Sequence, residues 1–265
     1  MKKILTLLMS LSLVIVLAAC GNNDDNKSAD KSLYDKVKSK GVITIGTEGT
    51  YAPFTFHDKK SGKLTGFDVE IAREVAKRIG VKPKFVETKW DGMFAGLDSK
   101  RYDMVANEVG IRPDRQKKYD FSDPYIVSKA VLIVRKDNNK IKNFDDLKGK
   151  RAGQSLTSNY SKIAKDHGAK VTPVEGFNQS IDLLTSGRID ATVNDSLSYL
   201  DSKKTRPNLP IKVAYEEKNA AKSAFLFRKG SDELIKKINK ALKDMHDDGT
   251  YLKISKKWFG TDVSK

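Results

Sequence analysis

Apolar positions along this chain follow two rhythms. Val42-Ile43-Thr44-Ile45-Gly46 is a β-branched run of the kind that forms a strand. From Gly66, the residues Phe67, Ile71, Ala72, Val75, Ala76 and Ile79 recur at helical spacing, and Gly80 supplies the stop. Residues 83–87 read as a strand, residues 89–93 lead into a helix that ends near Leu97, and Met104-Val105-Ala106 reads as a short strand buried on both faces. Strand and helix in alternation predict a parallel sheet. A hairpin over residues 55–65, turning at 59–62, is inserted into it. The DFSDPY stretch at 120–125 breaks the pattern, and residues 127–134 resume as strand. A second alternation follows: strand 151–154, helix 160–167, strand 170–174, helix 177–186 closed by Gly187, strand 191–194, then a helix from Ser196. Residues 224–227 form a last strand. The helix from Ser231 has an apolar face of Leu234, Ile235, Ile238, Ala241, Leu242 and Met245, with Asp232 and Glu233 in its first turn, where the dipole favours them. A final helix covers 250–259.

One phrase occurs twice. LDSKRYDMVANE from Leu97 to Glu108 is echoed by LTSGRIDATVND from Leu184 to Asp195. Leu, Ser, Arg, Asp and Asn coincide, and Glu108 falls opposite Asp195. Both copies read as helix end, turn and strand, with a carboxylate where the strand should end. Ligands of open α/β sheets sit outside the carboxyl ends of strands. The echo therefore predicts two similar lobes, each offering one strand end to a common cleft.

Composition refines this picture at the N-terminus. Lys2 and Lys3 precede an uncharged run from Ile4 to Ala19, shorter than the ~20 apolar residues of a spanning helix and ending in small residues. Leu17-Ala18-Ala19-Cys20 resembles a lipobox. It predicts a signal peptide over 1–19, a lipidated Cys20 and a polar tether to residue 32. Cys20 is the single cysteine, so no internal disulfide forms. The 265 residues are 38% apolar and 32% charged, long enough for two domains. The net charge of +16 is spread along the chain without an aromatic-interleaved stripe or zinc spacing, which argues against nucleic acid as partner.

The ordered set EGTYAPF, GFDVEIA, KWDGMFAGLDSKRYDMV, RPDR, YDFSDPY, DLKGKRAG, SGRIDATVND and DGTYLKISKKWFG resembles the family 3 solute-binding proteins, receptors of amino-acid ABC importers. EGTY, TKWDGM and KKYDFS most resemble the cystine-binding members. The resemblance implies an α/β fold of two parallel-sheet lobes, the type II periplasmic-binding-protein fold. Lobe 1 would comprise 33–127 and 223–265, lobe 2 would comprise 128–222, and two crossover strands would form the hinge. It further implies a monomer that delivers its ligand to permease and ATPase subunits, without cofactor or metal.

The resemblance also assigns a site. Arg115 would clamp the ligand α-carboxylate, for which a guanidinium fork is suited. Asp195 would receive the α-ammonium, although it could equally cap the following helix. Ser158 and Asn159 would hold the carboxylate at a helix N-terminus. Tyr51, Phe54 and Trp90 would form aromatic walls, and Glu48 would meet an ammonium. Asn107 lies at the strand end beside them. Two positions depart from the family: Gly110 stands where a hydroxyl residue is frequent, and Glu108 where small or amide residues are favoured. Cystine has two α-amino acid heads, and the second ammonium would need the extra acids Glu48 and Glu108. Basic amino acids could use the same acids and are the serious competitor. Two other classes stay open on these residues, a dehydratase of cyclic acids using the cleft carboxylates and a surface adhesin. His57, His167 and His246 lie outside the site motifs, which disfavours the enzyme.

Overall fold

The structure is a computed structural model that describes residues 31–265. The expected signal peptide, Cys20 and nearly all of the tether lie outside the described residues. The chain opens with α1 (Leu33–Lys40), whose N-cap Ser32 accepts the Asp35 N–H. Next come β1 (Val42–Thr47), β2 (Thr50–Tyr51), β3 (Thr55–His57), β4 (Leu64–Thr65), α2 (Phe67–Arg78), β5 (Lys82–Glu87), α3 (Trp90–Asp98), β6 (Met104–Gly110), α4 (Pro113–Gln116), β7 (Tyr119–Phe121) and β8 (Ile126–Ser128). These belong to the first lobe. β9 (Ala130–Arg135), β10 (Arg151–Gln154), α5 (Asn159–Asp166), β11 (Lys170–Pro173), α6 (Phe177–Thr185), β12 (Thr192–Asp195), α7 (Ser196–Thr205) and β13 (Ile211–Glu216) build the second. The chain returns through β14 (Ala221–Arg228) to α8 (Asp232–Asp247) and α9 (Thr250–Phe259), which pack on the first lobe.

The first sheet runs β5-β1-β6-β14-β7, with β8 also on β14. β5, β1 and β6 are parallel, as the alternation predicts, but β14 is antiparallel to β6, β7 and β8. In the second lobe β9 is antiparallel to both β12 and β13, and β10 pairs parallel with β11. The expected α/β architecture of two lobes stands, and its sheets are mixed rather than parallel. The cause is the crossover: β9 and β14 enter each sheet from the other lobe, against the direction of the strands already there.

The chain leaves the first sheet after Ser128 and rejoins it at Ala221, which pairs with Ser128. The return comes two residues earlier than the boundary at 223, because Ala221 and Lys222 already belong to the ladder. β6 is also longer than its apolar trio. All seven residues are buried, Asn107 and Glu108 included, so the strand runs four residues past Ala106.

Both central crossover strands are covered on two faces. Leu132 and Val134 of β9 enter one core with Leu147, Ala164 and Val193, while Val131 and Ile133 enter another with Ile181 and Ile189. Burial on both faces explains the uninterrupted apolar run 130–134. Gly66 is required where α2 begins. Its φ is 127°, and a Cβ there would stand 2.2 Å from the Phe54 carbonyl oxygen.

Candidate functional site

The cleft lies between the lobes, and its empty space of about 480 Å³ is partly open to solvent. Lobe 1 lines it with Glu48, Tyr51, Trp90, Asn107 and Glu108. Lobe 2 contributes Gln154, Ser155, Ser158, Asn159, Tyr160, Phe177, Ser180, Thr192 and Asn194 among others. The repeated phrase is a structural equivalence. Leu97 and Leu184 are both fully buried. Asp103 accepts the Thr44 N–H at 2.8 Å, and Asp190 accepts the Arg151 N–H at 2.9 Å. Each strand then presents an asparagine to the cleft, Asn107 from β6 and Asn194 from β12. The carboxylates that follow them diverge: Glu108 lines the cleft and Asp195 does not.

Glu48 leaves the end of β1 and is fixed by Asn107. The Asn107 amide donates to Glu48 Oε2 at 2.6 Å, and the Glu48 N–H donates to Asn107 Oδ1 at 2.8 Å. Burial, reinforced by the Asp91 charge and opposed by the Asn107 hydrogen bond, pushes the Glu48 carboxyl up to about 7. Glu108 sits at φ 48° beside a β-bulge, a conformation rare for a side chain of its size. Its N–H donates to Asp68, Ser223 donates to Oε1 at 3.1 Å, and Tyr51 donates to Oε2 at 3.2 Å. The Tyr51 hydroxyl is also 3.3 Å from Asn194 Oδ1 in the other lobe. Burial first, and then the charges of Asp195 and Asp68, raise the Glu108 carboxyl well above the usual range.

Arg115 is 5% exposed and forms no ion pair among the described residues. Nη1 donates to the Gly110 carbonyl at 2.9 Å, and Nη2 to the Thr157 carbonyl of lobe 2 at 3.3 Å. The guanidinium carbon lies 5.3 Å from the Trp90 ring and 5.1 Å from Phe94. Burial lowers its pKa to about 10, which leaves it charged at neutral pH. Ser158 caps α5 by accepting the Ser161 N–H, and Asn159 opens that helix at the cleft.

Four assigned residues are placed otherwise than expected, the first being Arg115, which packs against Trp90 and is not among the residues that line the cleft. Phe54 is fully buried in the lobe 1 core, 5.2 Å from the Tyr51 ring and 5.9 Å from Phe259. Its neighbour Tyr51, with a polar tip to satisfy, takes the cleft position instead. Asp195 is fully buried. Its carboxylate accepts from the Leu197 N–H at 2.7 Å, from Tyr160 at 3.2 Å and from Ser128. Those donors occupy it as the N-cap of α7 and a tie to the crossover, the alternative role that its position allows. Gly110 lines a second cavity of about 340 Å³, with Arg112, Asn159, Tyr160 and Lys162.

Sequence reasoning missed Gln154, Ser155, Tyr160, Phe177, Ser180, Thr192 and Asn194, among others. Asn194 was within reach, since the echo sets it opposite Asn107. Tyr160 and Phe177 begin helices and read as core.

The lobes are closed on each other. Asp91 at the start of α3 accepts the Leu156 N–H at 3.1 Å, the Thr157 N–H at 3.0 Å and the Thr157 hydroxyl at 2.7 Å. Lys89 pairs with Glu175, and Ser198 donates to the Ala52 carbonyl at 3.1 Å.

A family model described as "Bacterial extracellular solute-binding proteins, family 3" matches residues 43–261. The L-cystine-binding protein TcyA of Bacillus subtilis (strain 168) is 54% identical over 269 residues, covering 100% of both chains. Among solved structures, the L-cystine solute receptor of Neisseria gonorrhoeae in its unliganded open conformation is 47% identical, with a TM-score of 0.59 over 89% of this chain and 100% of that one. An ancestral arginine-binding protein bound to arginine is 42% identical, with a TM-score of 0.78 over 83% of this chain and 98% of that one. The more similar sequence gives the poorer superposition. That is the result expected when one partner is open and this chain is closed.

Proposed function

This chain belongs to the bacterial extracellular solute-binding proteins of family 3, and from that premise we propose that it binds L-cystine between its lobes and delivers it to an ABC permease. It is a binding protein and not an enzyme. One observation carries the reading of an amino-acid ligand. The site region holds a buried cation without an anion, Arg115, and two carboxyl groups without a cation, half-buried Glu48 and buried Glu108, whose raised pKa values favour the neutral form until a cation arrives. A zwitterion supplies both missing partners. Buried charge is costly until it is paired, so closing on such a ligand stabilises the closed form.

Cystine is supported by three things. Relatives named for L-cystine match over nearly the whole chain. Two acids, Glu48 and Glu108, are available where one head needs a single partner. Tyr51 and Trp90 offer rings against which a disulfide packs favourably. In this reading Arg115, Ser158 and Asn159 take the first carboxylate, and Asn107 holds Glu48 toward an ammonium. The lipobox supports attachment through Cys20 to the outer face of a membrane, with the protein acting as a monomer.

Calorimetry on Arg115→Ala tests the amino-acid reading. The loss of one partner from a desolvated charge pair costs ~2–5 kcal/mol, so affinity for every α-amino acid ligand should fall by that amount while the fold persists. Unchanged affinity in a folded variant would remove Arg115 from the site.

A further inference from the structure

Among the described residues, six buried side-chain polar atoms have no hydrogen-bond partner, and two of them belong to residues that line the cleft. Both are N–H donors: Nε1 of Trp90, from lobe 1, and Nδ2 of Asn194, from lobe 2. Among the described residues no protein acceptor reaches either. The Asn194 Oδ1 stands 3.3 Å from the Tyr51 hydroxyl, whose single proton it shares with Glu108 Oε2 at 3.2 Å. An unused donor thus stands in the same hydrogen-bonded group as an unpaired acid. Trp90 belongs to the lobe that carries Glu48, and both residues line the cleft.

Donor and acid side by side do not suit a purely cationic side chain, whose ammonium or guanidinium has no acceptor to give. They suit a second α-amino acid head, which brings an ammonium and a carboxylate together. We propose that Trp90 Nε1 and Asn194 Nδ2 read the second carboxylate of a two-headed ligand, and that this sets the preference for cystine over arginine or lysine. A carboxylate has two oxygens and can take one donor from each lobe. The far end of the ligand then couples its own identity to closure. Arg115 stays with the first carboxylate and is not part of this reader. The inference rests on the cystine reading above and adds the residues that enforce it.

The test compares L-cystine with the mixed disulfide of L-cysteine and cysteamine, which keeps the distal ammonium and lacks the distal carboxylate. Calorimetry under non-reducing conditions would measure the affinity ratio of the two ligands in the parent, Asn194→Ala and Trp90→Phe. The second substitution keeps a ring against Arg115, and thermal unfolding checks that both variants fold. A site built to hydrogen-bond a group rejects the analogue lacking it, so the parent should favour cystine by roughly tenfold or more. Each substitution should shrink that ratio toward one, whatever it does to absolute affinity. A folded pair of variants that retains the parental ratio overturns the inference and leaves the cystine reading standing. A parent that binds no cystine overturns both.

Discussion

Glu108 holds a left-handed backbone conformation that costs of order 1–3 kcal/mol and persists because its surroundings hold it. Asp68, fully buried, takes its N–H. Burial pushes Asp68 up to about 7 against the accepting hydrogen bond from that N–H. An unfolded aspartate titrates near ~4, so between these values the folded form keeps a proton that the unfolded form has released. The stabilising contribution is therefore complete at low pH and lost as pH rises through about 7. Asp68→Asn keeps an acceptor and cannot ionise. Its Tm should fall less between pH 5 and pH 8 than that of the parent, and a thermal unfolding series reads this. Identical slopes would show that another group governs the window. At this scale the polar strand ends were legible: Glu48, Asn107 and Glu108 all reach the cleft. The choice between Tyr51 and Phe54 was not, because two aromatics in one loop give no sign of which turns inward. Asp195 was legible as a strand-end carboxylate, but its three donors come from β8, α5 and α7, which only the fold assembles.

Among the elements, α3 joins site and closure. Its first residue, Trp90, lines the cleft, and its second, Asp91, accepts three hydrogen bonds from the 156–157 loop of the other lobe. These bonds exist only when the lobes meet, so they stabilise the closed form without touching the ligand. Asp91→Ala should weaken binding by roughly 5–10-fold, chiefly through faster dissociation, because a ligand's apparent affinity scales with the population of the competent state. Stopped-flow release of bound ligand measures it, and an unchanged off-rate would mean that the contacts are incidental. The neighbouring Lys89–Glu175 pair is largely exposed and should contribute about 0–1 kcal/mol. Most elements followed from periodicity, since helices with one apolar stripe and strands buried on both faces leave strong patterns. β13 did not. It is an edge strand, mostly half-buried, and IKVAYE gives neither a long apolar run nor a clean alternation. The antiparallel entry of β9 and β14 was also beyond pattern reading, because strand direction depends on which lobe the chain has come from.

At the scale of the molecule, closing the lobes joins Arg115 of lobe 1 to the Thr157 carbonyl of lobe 2 and Tyr51 of lobe 1 to Asn194 of lobe 2. A ligand that completes these half-satisfied groups acts as the link between the lobes. No helix among the described residues is long and apolar enough to cross a membrane, and the proposed attachment is through Cys20. Cys20→Ala should leave ligand binding intact and move the protein from the membrane to the soluble fraction. Membrane retention equal to that of the parent would count against the lipobox. The central claim is that one cleft accepts two amino-acid heads, and the most direct measurement is competition calorimetry under non-reducing conditions. L-cystine should bind more tightly than L-arginine, L-glutamine or L-histidine, and a thiol reductant should remove most of the response, since cysteine has a single head. Arginine ranking above cystine, or a cystine response that survives reduction, would contradict the account.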